Sequence, residues 1–461
     1  MSSGERLHRG LKERHMSLMA MGSAIGVGLF LGSATAIKLA GPAILVTYAI
    51  AGAAIFVIMR ALGEMAVAKP VAGSFSRYAQ DEIGPLAGYL TGWTYWFTLV
   101  VGSMSELTAV SVYMHLWFPE VTPWIWALAA LVMIGAINFV AVSLYGELEF
   151  WFALVKVVTI VLMIVMGGGI IAFGIGNGGV ATGISNLWKH GGFMPNGMGG
   201  MLMAMPMVLF AYQGVELLGL TAGEAANPEK TLARAVNSVF WRVSVFYVGA
   251  LFVIMSLFPW NEIGTLGSPF VLTFDKMGIR YAAGIINFVV LTAALSSFNS
   301  NLYGTGRLIY NLAEQGQAPK IFGRVSASGV PGPAVLFSVV CLLIGVVLNY
   351  LAPKQVFVWL TSISTFGAIW TWSFILLSHA RFRQRIAGSR AAGAKTGSRI
   401  FPYASYLTGL FLVAVVGLIA YFPDTRIAAI VGPIWIALLI ALFYCFVPRH
   451  QSTPLKVRST T

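Results

Sequence analysis

Lys156 stands alone as a cation in an apolar run of residues 150–174, and Glu106 as an anion in one of residues 85–116. A charge near a bilayer centre costs at least about 2.5–3.5 kcal/mol on insertion scales, so each needs a reason to be there. For Lys156 two readings are open: a structural cation hydrogen-bonded to backbone carbonyls, or a functional one, either a proton carrier or a fixed substitute for a sodium ion. Glu106, with Ser103 and Ser105 nearby, reads as a proton acceptor, a contact for an amine or a partner for Lys156. Its plain alternative is a protonated acid packed against polar neighbours. Glu216 follows the polar interruption Tyr212-Gln213-Gly214 in a third apolar run, where it either steadies that interruption or carries protons. There Tyr212 can close over a bound molecule and Gln213 can read a polar group on it. Ser296 and Ser297 either complete a polar site with Lys156 or are ordinary interhelical serines. Glu64 and Glu224 lie near apolar-run ends beside basic residues, and structural or gating pairs are expected there, Glu224 with Lys230 and Arg234.

Other chemistries find no residues to carry them. The six histidines are scattered and the two cysteines, Cys341 and Cys445, lie in apolar runs with no metal-ligand spacing. No nucleophile elbow or phosphate loop is present, so no enzyme, metal or cofactor is expected. The net charge of +13 is spread over loops, and no basic stretch interleaved with aromatics marks a nucleic-acid site.

The elements that position these residues must be membrane helices. Of 461 residues, 58% are hydrophobic and 10% charged, against about 25% charged in soluble domains. A crossing helix needs about 20 mostly apolar residues. Twelve such spans are expected near 17–36, 42–61, 85–116, 122–142, 150–174, 199–221, 239–259, 281–303, 332–351, 355–379, 402–422 and 427–447. The polar stretch Met1–His15 and the long apolar run after it do not read as a cleavable signal. With a cytoplasmic N-terminus, inner segments hold 22 of the 29 basic residues and outer ones six, Lys156 being the remainder. That bias places both termini, and the basic loop 380–401, in the cytoplasm, with anionic lipid headgroups as neighbours. Trp117, Trp124, Trp126 and Trp260 fall near span ends, as interfacial aromatics do.

Two spans carry interruptions. The first reads Gly22-Ser23-Ala24-Ile25-Gly26-Val27-Gly28, and the sixth Tyr212-Gln213-Gly214-Val215-Glu216. Each glycine weakens a helix by about 1 kcal/mol relative to alanine. Glycines there either pack helices closely or mark an unwound stretch lining a cavity. The interruptions recur at an offset of five spans, and five is odd, so a second five-span unit enters the membrane from the opposite side. The expected organisation is an N-terminal segment (1–16), inverted repeats at 17–174 and 199–379, the basic loop, two further spans (402–447) and a tail (448–461). Unwinding exposes N–H groups that attract a carboxylate and C=O groups that attract an ammonium. Such a break suits an amino-acid zwitterion.

The chain resembles the bacterial amino acid transporters of the amino acid–polyamine–organocation superfamily. The resemblance rests on Gly22-Ser23-Ala24-Ile25-Gly26, Met59-Arg60-Ala61-Leu62-Gly63-Glu64-Met65, Gly146-Glu147-Leu148-Glu149-Phe150-Trp151-Phe152, Ala222-Gly223-Glu224-Ala225, Asn227-Pro228-Glu229-Lys230 and Val290-Leu291-Thr292-Ala293-Ala294-Leu295-Ser296-Ser297. It implies an all-α inner-membrane permease with alternating access, broken first and sixth helices, and proton-driven uptake. It also implies that Lys156 lies near the first-helix break. Proline and histidine permeases are the nearest in look, with aromatic, γ-aminobutyrate and alanine/glycine/serine carriers or an exchanger as alternatives. The family usually has Thr at the position of Val27 and often a small residue at that of Gln213. A transporter with two six-helix halves, a channel and a sodium-coupled carrier are the rivals. The first predicts similarity at a six-span offset, the second a continuous pore, and Lys156 opposes the third electrostatically.

Overall fold

The computed structural model describes residues 25–71, 73–140, 142–175, 177–217, 219, 243–263, 270, 273, 281–326, 329–353, 355–388 and 401–447. Ser23, Ala24 and Glu224, segments 1–16 and 448–461, and most of the basic loop lie outside these residues. Every regular element among the described residues is helical.

In chain order the helices begin with α1, a π-helical turn Gly28–Gly32 running into an α-helix Ser33–Ala40. Next come α2 (Ile44–Ala68), α3 (Ser74–Glu82), α4 (Pro85–Trp117), α5 (Pro123–Val140) and α6 (Val142–Phe173). Then α7 (Gly197–Ala211) is followed by α8, a π-helical stretch Val243–Gly249 continued by Ala250–Leu257. The chain continues with α9 (Ala282–Glu314), α10 (Gly332–Leu351), α11 (Val356–Gly388), α12 (Phe401–Tyr421) and α13 (Ile427–Phe446). Proline opens α4 and α5, where its fixed φ suits the first helical position and its missing N–H has no partner to lose.

Each of the twelve apolar runs in the sequence carries helix. Among the described residues, nine helical stretches are long and apolar enough to cross a membrane, with two shorter apolar helices at Gly197–Ala211 and Val245–Leu257. One of the nine, Gly28–Ala68, is divided where Gly41 takes φ +61 ahead of Pro42. Asn196 Nδ2 donates to the Lys38 and Leu39 carbonyls there, satisfying groups that the end of α1 leaves bare. Two features depart from the sequence reading. The amphipathic α3 forms between the second and third expected spans, where no element is expected. The basic loop expected from residue 380 starts as helix, because α11 carries Arg381, Arg383 and Arg385 on its last turns.

The helices are layered by burial. The most apolar window of α4 is 83% buried, whereas those of α12 and α13 are 22% and 28% buried, so α4 is central and the last two are peripheral. The 33 residues of α4 extend about 50 Å, longer than a roughly 30 Å hydrocarbon core, so it tilts or projects. Six of its hydroxyls are satisfied within the helix: Thr91, Thr98, Ser103, Ser105, Thr108 and Ser111 each donate to the carbonyl four residues back. This lets a polar helix run through an apolar bundle.

α1 and α7 lie antiparallel in close contact. A Cβ on Gly28 would come within 2.6 Å of Ala211 Cα, and one on Gly32 within 2.9 Å of Met207 Sδ. A Cβ on Gly200 would run into the Leu39 carbonyl. Small residues four apart let the two backbones approach, as in membrane helix pairs generally. The glycines of the first span therefore serve both readings: Gly32 packs helices, Gly26 faces a cavity and Gly28 does both.

At one end of the bundle, Arg383 forks onto Glu64 with bonds of 3.0 and 2.7 Å, and His379 Nε2 lies 3.1 Å from the same carboxylate. Arg385 makes a second fork on Glu82 at 3.1 and 2.7 Å. These pairs tie α2 and α3 to α11. Planar two-bond geometry fixes register as well as charge.

Candidate functional site

The site forms where one helix begins and another ends. In the first span, Gly26 is a bend and regular helix begins after it, with Leu29 N–H bonded back to Gly26 O at 3.3 Å. In the sixth, α7 ends at Ala211 and residues 212–216 form turns, with Gly214 at φ +92. Only glycine adopts that backbone without strain. Glu216 Oε1 accepts the Gly214 N–H at 3.3 Å, closing the turn with its own side chain. Tyr247 OH donates to the Ala211 carbonyl at 2.8 Å, meeting a group that the helix end leaves free.

A small cavity lies between these ends. Gly26, Gly28, Ala211, Gln213, Gly214 and Glu216 line one side. Thr98, Leu99, Gly102 and Glu106 from α4, with Ser297 and Asn301 from α9, line the other. Its volume of about 30 Å³ holds roughly two waters, so a larger occupant requires the walls to part. A Cβ on Gly26 would sit 2.8 Å from Ser297 Oγ and 2.9 Å from Glu106 Oε1, so only glycine lets those groups approach the break.

The wall is rich in hydrogen-bonding capacity. The Val27 amide hydrogen-bonds the Glu106 carboxylate. Glu106 Oε2 and Ser297 Oγ are buried and bond to no other described group. A buried acceptor left unpaired costs about 1–3 kcal/mol, so both favour an incoming donor. Across the cavity, Ser364 Oγ on α11 donates to Gln213 Oε1 at 2.7 Å, and Gln213 Nε2 donates to Thr365 Oγ1 at 3.3 Å. Gln213 thus latches the sixth-span break to α11.

Behind Gly26 lies a buried ionic chain. Lys156 Nζ donates to the Ile25 carbonyl at 3.0 Å and to Ser296 Oγ at 2.9 Å, and Ser296 Oγ donates to Glu149 Oε1 at 2.7 Å. Lys156, Ser296 and Glu149 are fully buried. The amine therefore holds the backbone just ahead of α1 and answers to two acids, Glu149 on its own helix and Glu106 on α4.

The residues singled out from sequence thus fall in several places. Gly26, Gly28, Gln213, Gly214, Glu106, Glu216 and Ser297 line the cavity; Ile25, Lys156 and Ser296 form the chain behind it. Val27 is buried and contributes its amide. Tyr212 does not line the cavity: its hydroxyl donates to the Tyr48 carbonyl at 2.9 Å, and its ring packs edge-on against Tyr48 and tilted against Tyr247. Ser103 and Ser105 bond their own helix rather than Glu106. Of two further α4 aromatics, neither lining the cavity, Tyr95 lies beside Glu216 and Trp96 donates to Ser338 Oγ at 3.0 Å. Glu64 is ion-paired at the bundle end. Sequence reasoning missed Glu149, although its seven-residue offset from Lys156 puts both on one helix face. Asn301, four residues beyond Ser297, was legible by the same rule. Thr98, Ser364 and Thr365 had no signal beyond being hydroxyls in apolar helices.

Comparison with known proteins adds three relatives and a family. The family described as "Amino acid permease" matches residues 15–453. The chain is 61% identical over 440 residues to the "Uncharacterized amino acid permease YtnA" of Bacillus subtilis (strain 168), covering 95% of each chain. It is 48% identical over 449 residues to the same organism's "Probable threonine/serine transporter YbxG", covering 96% of each. It is 45% identical over 439 residues to that organism's "Amino-acid permease AapA", covering 95% of each.

Proposed function

The chain belongs to the amino acid permease family of multi-pass membrane transporters, and on that premise we propose a proton-coupled carrier of a small, polar, neutral L-amino acid in a bacterial plasma membrane. The observation that carries this reading is the cavity at the two helix breaks, whose groups match a zwitterion. Glu106 Oε2 and Ser297 Oγ, unpaired and buried, fit the ammonium. The amides at the start of α1 fit the carboxylate, since a helix N-terminus favours an anion. Thr98, Gln213 and Asn301 offer partners to a side-chain hydroxyl. Proline, expected from the sequence, has no side-chain group to use them. The relative whose name gives threonine and serine fits the same class.

The transporter architecture belongs to this proposal as well. We assign twelve spans, α1, α2 and α4 to α13, in two inverted five-span repeats followed by two further helices. The antiparallel contact of α1 with α7 agrees with such an inversion. The loop charges place both termini in the cytoplasm. Coupling falls to Lys156, Glu106 and Glu216. One amine among these buried carboxyl groups leaves the site short of positive charge, and a substrate ammonium or a proton supplies it.

The test is uptake by the full chain in proteoliposomes. An inward proton gradient is expected to drive accumulation of labelled serine and threonine, with proline and histidine competing weakly. Stronger competition by either would overturn the substrate class. Accumulation indifferent to the gradient would overturn the coupling.

A further inference from the structure

Glu149 is a fully buried acid to which the coupling scheme above gives no part. It precedes Lys156 by seven residues, so two turns of α6 bring both side chains to one face, about 10 Å apart along the axis. Ser296 on α9 spans the gap. Its hydroxyl accepts from Lys156 Nζ at 2.9 Å and donates to Glu149 Oε1 at 2.7 Å. Ser300, one turn further along α9, also hydrogen-bonds Glu149. The order amine, hydroxyl, carboxylate is directional, because each group donates to the next.

Resting on the proton-coupled reading, we propose that Glu149 receives the coupled proton from Lys156 through the Ser296 hydroxyl. In the step, an N–H bond of the Lys156 ammonium breaks as an O–H bond forms on Ser296. The original Ser296 O–H breaks as one forms on Glu149 Oε1. The ammonium becomes an amine, the carboxylate becomes a carboxylic acid, and the hydroxyl is restored. No charge is created and no other reactant is needed. The neutral amine then bonds the Ile25 carbonyl more weakly, since a charge-assisted bond is roughly twice as strong as a neutral one. The first-span break is released to move. Glu149 lies toward the α6 start, the cytoplasmic end by the loop charges, so the transfer runs inward.

The surroundings isolate this path. Among the described residues, Glu149 and Glu106 are the acids acting on Lys156, and Lys156 is the charge acting on Glu149. Of the other elements packed on α6, α5 has no titratable residue, and Tyr247 of α8 is engaged at the Ala211 carbonyl. Glu147, two residues before Glu149, falls on another face of α6.

The experiment compares gradient-driven accumulation with substrate counterflow, which needs no net proton movement, in proteoliposomes holding wild type, Glu149→Gln, Glu149→Asp or Ser296→Ala. Glu149→Gln is expected to lower accumulation by about tenfold or more while counterflow falls far less. Glu149→Asp is expected to recover part of the accumulation with a displaced pH profile. Wild-type accumulation and pH profile in Glu149→Gln would overturn the proposal. Should that variant not fold, Ser296→Ala breaks the chain but keeps both charges, and an unaltered pH profile there overturns the proposal equally. A wild type that ignores the gradient would instead sink the coupled reading beneath it.

Discussion

Three residues concentrate the chemistry, and each makes a separate prediction. Lys156→Ala removes the cation that holds the Ile25 carbonyl and faces two acids. Breaking a buried pair costs about 3–5 kcal/mol, so a lower melting temperature in detergent is expected. Gradient-driven uptake should vanish while some substrate binding survives; wild-type accumulation would remove Lys156 from the coupling path. Glu106→Gln keeps the shape beside Val27 but cannot titrate. The pH dependence of uptake is expected to change, and an unchanged profile would reduce Glu106 to packing. Gly26→Val drives a branched side chain against Ser297 Oγ and Glu106 Oε1. Substrate binding, measured by isothermal titration, should be lost, and normal affinity would move the site elsewhere.

At the scale of elements, glycines separate packing from tolerance. Gly28→Ala pushes a methyl into the Ala211 backbone, where nothing flexible can yield. A loss of about 1–3 kcal/mol is expected, as for overpacking in general. Gly168→Ala on α6 meets nothing within 4 Å and should be neutral or stabilising by up to about 1 kcal/mol. Thermal unfolding of the two variants side by side checks this, and equal effects would refute the close crossing. Sequence periodicity and composition could place helices because lipid demands long apolar runs. They could not separate Gly28 from Gly26, since both are small residues in one motif and only the partner helix distinguishes them. The amphipathic α3 escaped notice because nine residues with several charges resemble a loop. Glu149 escaped because its significance lies in Ser296, 147 residues away, which bridges it to Lys156. Tyr212 sits at the break as expected, but its ring goes to the Tyr48 and Tyr247 cluster, a choice made by helices far off in sequence.

At the scale of the whole molecule, orientation follows from where the cations lie. In a cysteine-free background, with Cys341 and Cys445 replaced, Gln384→Cys near the end of α11 should react with an impermeant maleimide only from the cytoplasmic side. Ala181→Cys, in the connection between α6 and α7, should react only from outside. Both positions are exposed. Reversed labelling would invert the topology and, with it, the direction assigned to the proton. The forks of Arg383 on Glu64 and Arg385 on Glu82 join α11 to α2 and α3, and the Gln213 amide joins α11 to the sixth-span break. One long helix thereby senses both the bundle end and the cavity. The contact of Gly28 with Ala211 constrains how such a molecule can change shape. Two backbones touching there leave no room for a side chain, so a swing of α1 against α7 about that point would disturb the packing least, and it would open the cavity beside it by an angle.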